Sequence, residues 1–143
     1  MSTRAVLDAS AAVRIALGGP GCDELAAFLD ECSQVLAPTI LTAEVANAIW
    51  KYTTSGTLSL AEAQERMNEA LLLAEVLVPD AGLVEEALAA AADLKHPAYD
   101  LLYAVLARRK AATLVTADRA LARLLGRMHV AAYCPEEPPK PLG

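Results

Sequence analysis

The sequence predicts an α/β fold: a mainly parallel central β-sheet flanked by α-helices. Two observations carry this. Short apolar runs alternate with helical stretches along the whole chain, the pattern of strands joined by helical crossovers. Carboxylates also close the runs, at Asp8 directly after one and at Asp118 two residues past another. In open parallel sheets the crevice beyond the carboxyl ends of the strands is where ligands bind.

Arg4 to Asp8 reads RAVLD, a buried parallel strand that stops at a carboxylate. A helix is expected from Ser10 to Leu17, ended by Gly18-Gly19-Pro20-Gly21, and a second over Asp23 to Glu31 with Leu25, Phe28 and Leu29 on one face. Gln34 to Ala37 is a short strand before Pro38. Thr39 or Thr42 caps the next helix, which carries Glu44 and runs to about Thr53. Ser59 and Glu62 form a capping box that opens a helix toward Ala74. Val76 to Val78 is a third strand, and Asp80 starts a helix through Leu94. Tyr99 to Lys110 is helical, with Arg108, Arg109 and Lys110 where cations favour the helix dipole. Ala112 to Thr116 is the clearest strand. Asp118 caps a short helix that Gly126 terminates, and His129 to Tyr133 is the last strand. The tail from Pro135 is proline-rich and expected to be irregular.

Composition sets limits. A chain of 143 residues is one domain with a real core, and 55% hydrophobic with 21% charged residues excludes general disorder. No apolar run reaches the roughly 18–20 residues of a membrane span. The N-terminus lacks a signal-peptide pattern, with Asp8 and Arg14 interrupting it. Three cysteines with no CxxC pair point to reduced thiols in a cytoplasm, without zinc site or disulfide frame. The net charge of −6 leans slightly against a nucleic-acid partner, which favours basic proteins. The same surplus, gathered in one pocket, is what a divalent-cation site looks like.

Asp8 and Asp118 at strand ends, with Asp100 and Glu44 near helix starts, are expected to converge on one rim. Four carboxylates together repel, and some would hold protons through raised, coupled pKa values. A hard divalent cation relieves this, because magnesium and manganese take oxygen ligands. Such an ion orients a phosphate and acidifies a bound water, so the chemistry expected is phosphodiester hydrolysis.

VLDAS with Asp8 and Ser10, TAEVANAIW with Glu44, AYDLLYAVLARR with Asp100 and LVTADRAL with Asp118 resemble, in order and spacing, the four signature segments of PIN domains, and of VapC-type toxins in particular. The resemblance runs from Arg4 to about Tyr133, giving a PIN domain over 1–134 and a tail over 135–143. It implies a PIN-like fold and a Mg2+- or Mn2+-dependent endoribonuclease that cuts RNA. It also implies a homodimer and a neutralising antitoxin. Asp8, Glu44, Asp100 and Asp118 carry over as the catalytic, metal-holding acids, with Ser10 and Thr116 as supporting polar residues.

Simpler readings exist for each residue. Asp118 is an expected N-cap, Asp100 favours a helix dipole, and Glu44 alone reads as a surface acid. Asp8 is hardest to explain so, because a carboxylate ending a buried strand is costly unless paired. Arg14 reads as a phosphate contact or an ordinary surface cation. His96 stands four residues before Asp100, but Pro97 between them argues against a site role. His129 belongs to an edge strand, and Trp50 and Tyr52 to core or dimer packing rather than base stacking. A receiver domain would need paired acids after the first strand and a lysine after the last. An Asp-nucleophile phosphatase would need an acid where Ser10 stands. A PIN-like binding module without chemistry, or a PIN nuclease outside toxin–antitoxin systems, is the remaining alternative.

Overall fold

The structure, a computed structural model, describes residues 3–135. Five strands, β1 (Arg4–Leu7), β2 (Gln34–Pro38), β3 (Val76–Val78), β4 (Thr113–Val115) and β5 (Ala132–Tyr133), form one sheet in the order β3-β2-β1-β4-β5. Every neighbouring pair is parallel, and Val6 of β1 stands opposite Leu36 of β2 on one side and Leu114 of β4 on the other. Ala5, Val6 and Leu7 are fully buried, which is why β1 reads as an unbroken apolar run instead of an alternating one.

The strand order sets the position of the crevice. The chain steps outward from β1 to β2 to β3, then returns to place β4 on the other side of β1. The direction of winding therefore reverses between β1 and β4, and the carboxyl ends of those two strands open onto the cleft.

Helices α1 (Ala9–Leu17), α2 (Cys22–Glu31), α3 (Ile40–Thr54) and α4 (Leu60–Leu72) pack on one another, with α1 touching all three of the others. Helix α6 (Ala98–Lys110) lies against β1, β2 and β4, with α5 (Val84–Leu94) packed on it; α7 (Arg119–Leu125) precedes β5. Seven consecutive residues of α6, Leu101 to Ala107, are buried, so this helix is apolar all round rather than striped. Its basic end is partly compensated: Arg108 and Arg109 pair with Glu86 of α5 at 3.4 and 2.6 Å.

The capping chemistry follows the sequence at Ser59 and Glu62, whose reciprocal bonds are both present, and at Asp118, which accepts from the Leu121 amide. Three expectations need correction. The helix expected from Asp80 to Leu94 is interrupted: Asp80–Gly82 is a 3-10 turn, and α5 starts only at Val84. Long-range bonds fix that turn. Asp80 Oδ1 accepts from the Ile40 amide at 3.0 Å, and the Asp80 amide donates to Thr39 Oγ1 at 3.1 Å, so Thr39 binds across the fold instead of capping its own helix. Gly126 ends α7 as expected, with a right-handed backbone that opens a second 3-10 turn, and His129 takes the left-handed conformation (φ 57°). The last strand is accordingly Ala132–Tyr133 alone, and His129 lies outside it. Of the proline-rich segment 135–143, only Pro135 lies within the described residues.

Leu106 on α6 is 1% exposed, whereas Leu72 at the end of α4 is 81% exposed. Leu106→Ala should cost about 2–5 kcal/mol through the cavity it leaves. Leu72→Ala should stay within about 0.5 kcal/mol. Urea melts of the two variants check both values.

Candidate active site

The floor of the cleft is built where β1 and β4 end. The Asp8 amide donates to the Val115 carbonyl at 3.1 Å, which ties the residue to β4 one step beyond the ladder. Its carboxylate caps α1: Oδ1 accepts from the Ala11 amide at 2.9 Å and from Ser10 Oγ at 2.7 Å. The Ser10 oxygen in turn accepts from the Ala117 amide at 2.9 Å and lies 3.2 Å from Thr116 Oγ1. The Thr116 hydroxyl thus faces both Ser10 and the Asp8 carboxylate. Thr116, fully buried, accepts from the Asp118 amide at 2.9 Å, and Asp118 Oδ1 caps α7 through the Leu121 amide at 3.1 Å. A continuous run of polar contacts therefore links Asp8 to Asp118 across the sheet.

The other two acids come from helices. Glu44 lies in the second turn of α3, and its Oε1 accepts a 2.6 Å hydrogen bond from the Tyr103 hydroxyl. Asp100 lies in the first turn of α6, and its Oδ2 is 2.8 Å from His96 Nε2. Tyr103 and Asp100 are three residues apart on α6, so one helix supplies an acid and the clamp on another acid.

The electrostatics record the crowding. Burial pushes Asp8 from an ordinary value of 3.8 up to about 6; the charge of Asp100 adds to this, while the hydroxyls of Thr116 and Ser10 and the Ala11 amide oppose it. Glu44 is also raised, first by burial and then by repulsion from Asp100 and Asp80, against the pull of Tyr103. Burial first, and then the carboxylate of Glu44, push the Tyr103 phenol far up, which keeps it a donor.

All four acids, with Ser10 and Tyr103, line one cavity of about 740 Å³. Thr116 sits behind the wall and acts as the bridge between the strand ends. The sequence thus pointed to all four acids that line this cavity. It passed over Tyr103, hidden in the apolar run of α6, and discounted His96 because of Pro97. Pro97 in fact occupies the N-cap of α6, and His96 lies just before the helix, where it reaches Asp100 four residues on. Trp50 and Tyr52 are not core residues: they are 56% and 39% exposed, and Tyr52 lines the cavity.

No three carboxylate, imidazole or thiol groups among the described residues stand close enough together to hold one metal ion. Each of the four acids is instead turned to a separate local donor: Ser10 and the Ala11 amide, Tyr103, His96, and the Leu121 amide.

A five-stranded parallel sheet with acids gathered at its winding reversal defines a class, and the PIN-domain sequence profile matches residues 5–125, so the chain belongs to the PIN-domain family. The fold is shared with PAE2754 from Pyrobaculum aerophilum, whose crystal structure superposes with a TM-score of 0.67 at 23% identity over 90% of this chain and 97% of that one. It is shared equally with VapBC2 from Rickettsia felis, solved bound to a DNA fragment from their promoter, with a TM-score of 0.67 at 16% identity over 93% of this chain and 99% of that one. No curated protein matches the sequence.

Because the folded state raises the pKa of Asp8, the folded protein holds a proton that the unfolded chain has released. Stability contributed by that proton is intact near pH 4 and is lost as pH rises through about 6. In chelator-treated protein, Asp8→Asn should therefore melt higher than wild type at pH 8, by up to about 3 kcal/mol. The gap should close as pH approaches 4. Asparagine keeps the Oδ1 acceptor of the N-cap, so the helix start survives. Melting curves across this pH range check the trend.

Proposed function

We propose that this protein is a divalent-metal-dependent endoribonuclease and the toxin of a toxin–antitoxin pair. The observation that carries the reading is the convergence of Asp8, Glu44, Asp100 and Asp118 on one cavity at the sheet's winding reversal. The set offers oxygen donors alone, the chemistry that Mg2+ and Mn2+ select. Asp8 has its pKa raised to about 6 by burial and then by the charge of Asp100, a charge that a bound cation would offset. The four acids would hold the ion, Glu44 and Asp100 turning from Tyr103 and His96 to do so. A bound ion supplies a Lewis acid for the phosphate and a water of lowered pKa.

The chain's own residues supply position. Ser10 and Thr116 hold Asp8 and Asp118 in fixed relation across the two strand ends. Tyr103 and His96 hold Glu44 and Asp100 at the wall of the cavity, the position from which the two acids would turn to an ion. RNA as the substrate, the toxin role and a homodimeric state are supported by the likeness of the four acidic segments to VapC-type toxins, and the fold is the one held in common with VapBC2. The site also explains how a partner would silence the enzyme. An acidic cavity attracts a cationic side chain, and an arginine pairs with two carboxylate oxygens at once.

Purified protein should cut RNA with manganese or magnesium and stop when the ion is chelated. Asp8→Asn should abolish cleavage while keeping the far-UV circular dichroism of the wild type. Manganese at about 100 times its dissociation constant should stabilise the wild type by roughly 2.7 kcal/mol. Asp8→Asn and Asp100→Asn should lose that response. Full activity in folded Asp8→Asn protein overturns the assignment, and a folded wild type that cuts no RNA leaves only the non-catalytic binding module.

The antitoxin is expected to be a small protein encoded beside this one, whose C-terminal segment lies in the cleft and offers an Arg or Lys to the acids. Replacing that residue by Glu should release cleavage in the co-expressed complex. Cleavage that stays blocked rules out this mode of inhibition.

A further inference from the structure

The acidic cavity does not end at the acids. Glu44, Ala48 and Tyr52 are spaced four apart on α3, so they form one stripe leading about 12 Å from the floor to the rim. Facing them on α1 are Ser10, Val13 and Arg14. Past Tyr52 the channel continues into a second hollow of about 370 Å³, which shares Val13, Ala48 and Tyr52 with the first and adds Lys51, Ser55 and Thr57. Ala48, which lines both, is the smallest of the three shared residues.

The wall chemistry changes along this path. The floor is acidic. At the rim stands Arg14, among the described residues the one cation lining the larger cavity, and beyond it Lys51, which forms no ion pair among those residues. The posture of Arg14 is built in. Its guanidinium donates to the Pro20 carbonyl at 2.9 Å, and its stem packs so closely on Gly19 that a Cβ there would meet Arg14 Cδ at 2.5 Å. One bond to a carbonyl leaves the guanidinium with donors to spare. Between the two cations lies the part-exposed ring of Tyr52.

We propose that this channel between α1 and α3 is the path of the RNA strand leading away from the scissile phosphate, with a phosphate on Arg14, a base stacked on Tyr52 and the next phosphate near Lys51. The inference rests on the nuclease reading above and adds to it the residues that would carry the strand. Cation, aromatic ring and cation in succession match the alternation of phosphate and base in a single strand. A base must be unstacked for its face to lie on the Tyr52 ring, which a single strand permits and a duplex does not. The cations also answer a difficulty of the site itself, because four carboxylates repel a polyanion unless positive groups stand close by.

The test uses the full chain carrying Asp8→Asn, so that RNA is bound without being cut, and a fluorescent single-stranded oligoribonucleotide read by anisotropy at several salt concentrations. Tyr52→Ala should weaken binding about tenfold, the effect of losing one stacked base, whereas Tyr52→Phe should keep it. Arg14→Gln and Lys51→Gln should each flatten the slope of log affinity against log salt by about 0.7, the signature of one lost phosphate contact on a single strand. The same sequence annealed as a duplex should bind more weakly. Manganese-dependent cleavage by the wild type is measured alongside. If the wild type cuts RNA while affinities and salt slopes stay unmoved by these substitutions, the channel is not the strand path and the nuclease reading stands. The strand path is equally overturned if the duplex binds as tightly, or if the substitutions weaken only the binding of a co-expressed partner protein. If the wild type neither cuts nor binds RNA, both readings fall.

Discussion

The constraint on which the rest depends is a carboxylate kept at the end of a buried strand. Asp8 is only 5% exposed, and it follows three fully buried residues of the central strand. Placing charge there is costly, and the fold meets the cost locally. The Ala11 amide, the Ser10 hydroxyl and, through Ser10, the buried Thr116 all converge on it. These same bonds start α1, join the end of β1 to the end of β4 and set Asp118 at the start of α7. One residue thus serves as helix cap, strand terminus and cavity floor.

Helix α6 is the second organising element, and it works by different means. It is buried on every side for seven residues, so its place against the sheet is fixed by packing. It brings Asp100 to the cleft from its first turn, and Tyr103 reaches across to Glu44 on α3. His96, just ahead of the helix, holds Asp100. The helix-borne acids are therefore each held by an uncharged or titratable donor supplied from α6 or its approach, and the strand-borne acids by hydroxyls and backbone amides.

Most of the scaffold could be read from the chain because its signals are local. An apolar run ending in Asp8, the Ser59–Glu62 capping box and the ATLVT strand each contain their own explanation within a few residues. The four acids were readable because strand ends and helix starts share one edge of a parallel sheet. What escaped depends on distance. The turn at Asp80 is fixed by Thr39 and Ile40, some forty residues earlier. Tyr103 escaped for a related reason: in a helix without a polar stripe, a phenol looks like one more core residue, and only its partner on α3 marks it out. His96 was discounted on sound local grounds, since proline does restrict what precedes it, yet a residue just outside the helix still lies within reach of the first turn.

The burial of α6 has a consequence for how such a protein can change over generations. Asp100 and Tyr103 are anchored to a helix whose neighbours on every side belong to the core, so drift there disturbs folding and chemistry together. Lys51, Tyr52, Ser55 and Thr57 sit on or beside the exposed end of α3, where replacement leaves the interior untouched. Inheritance can therefore act on the two regions at different rates. The acidic floor is tied to the packing of the core, while the outer walls can change without disturbing it.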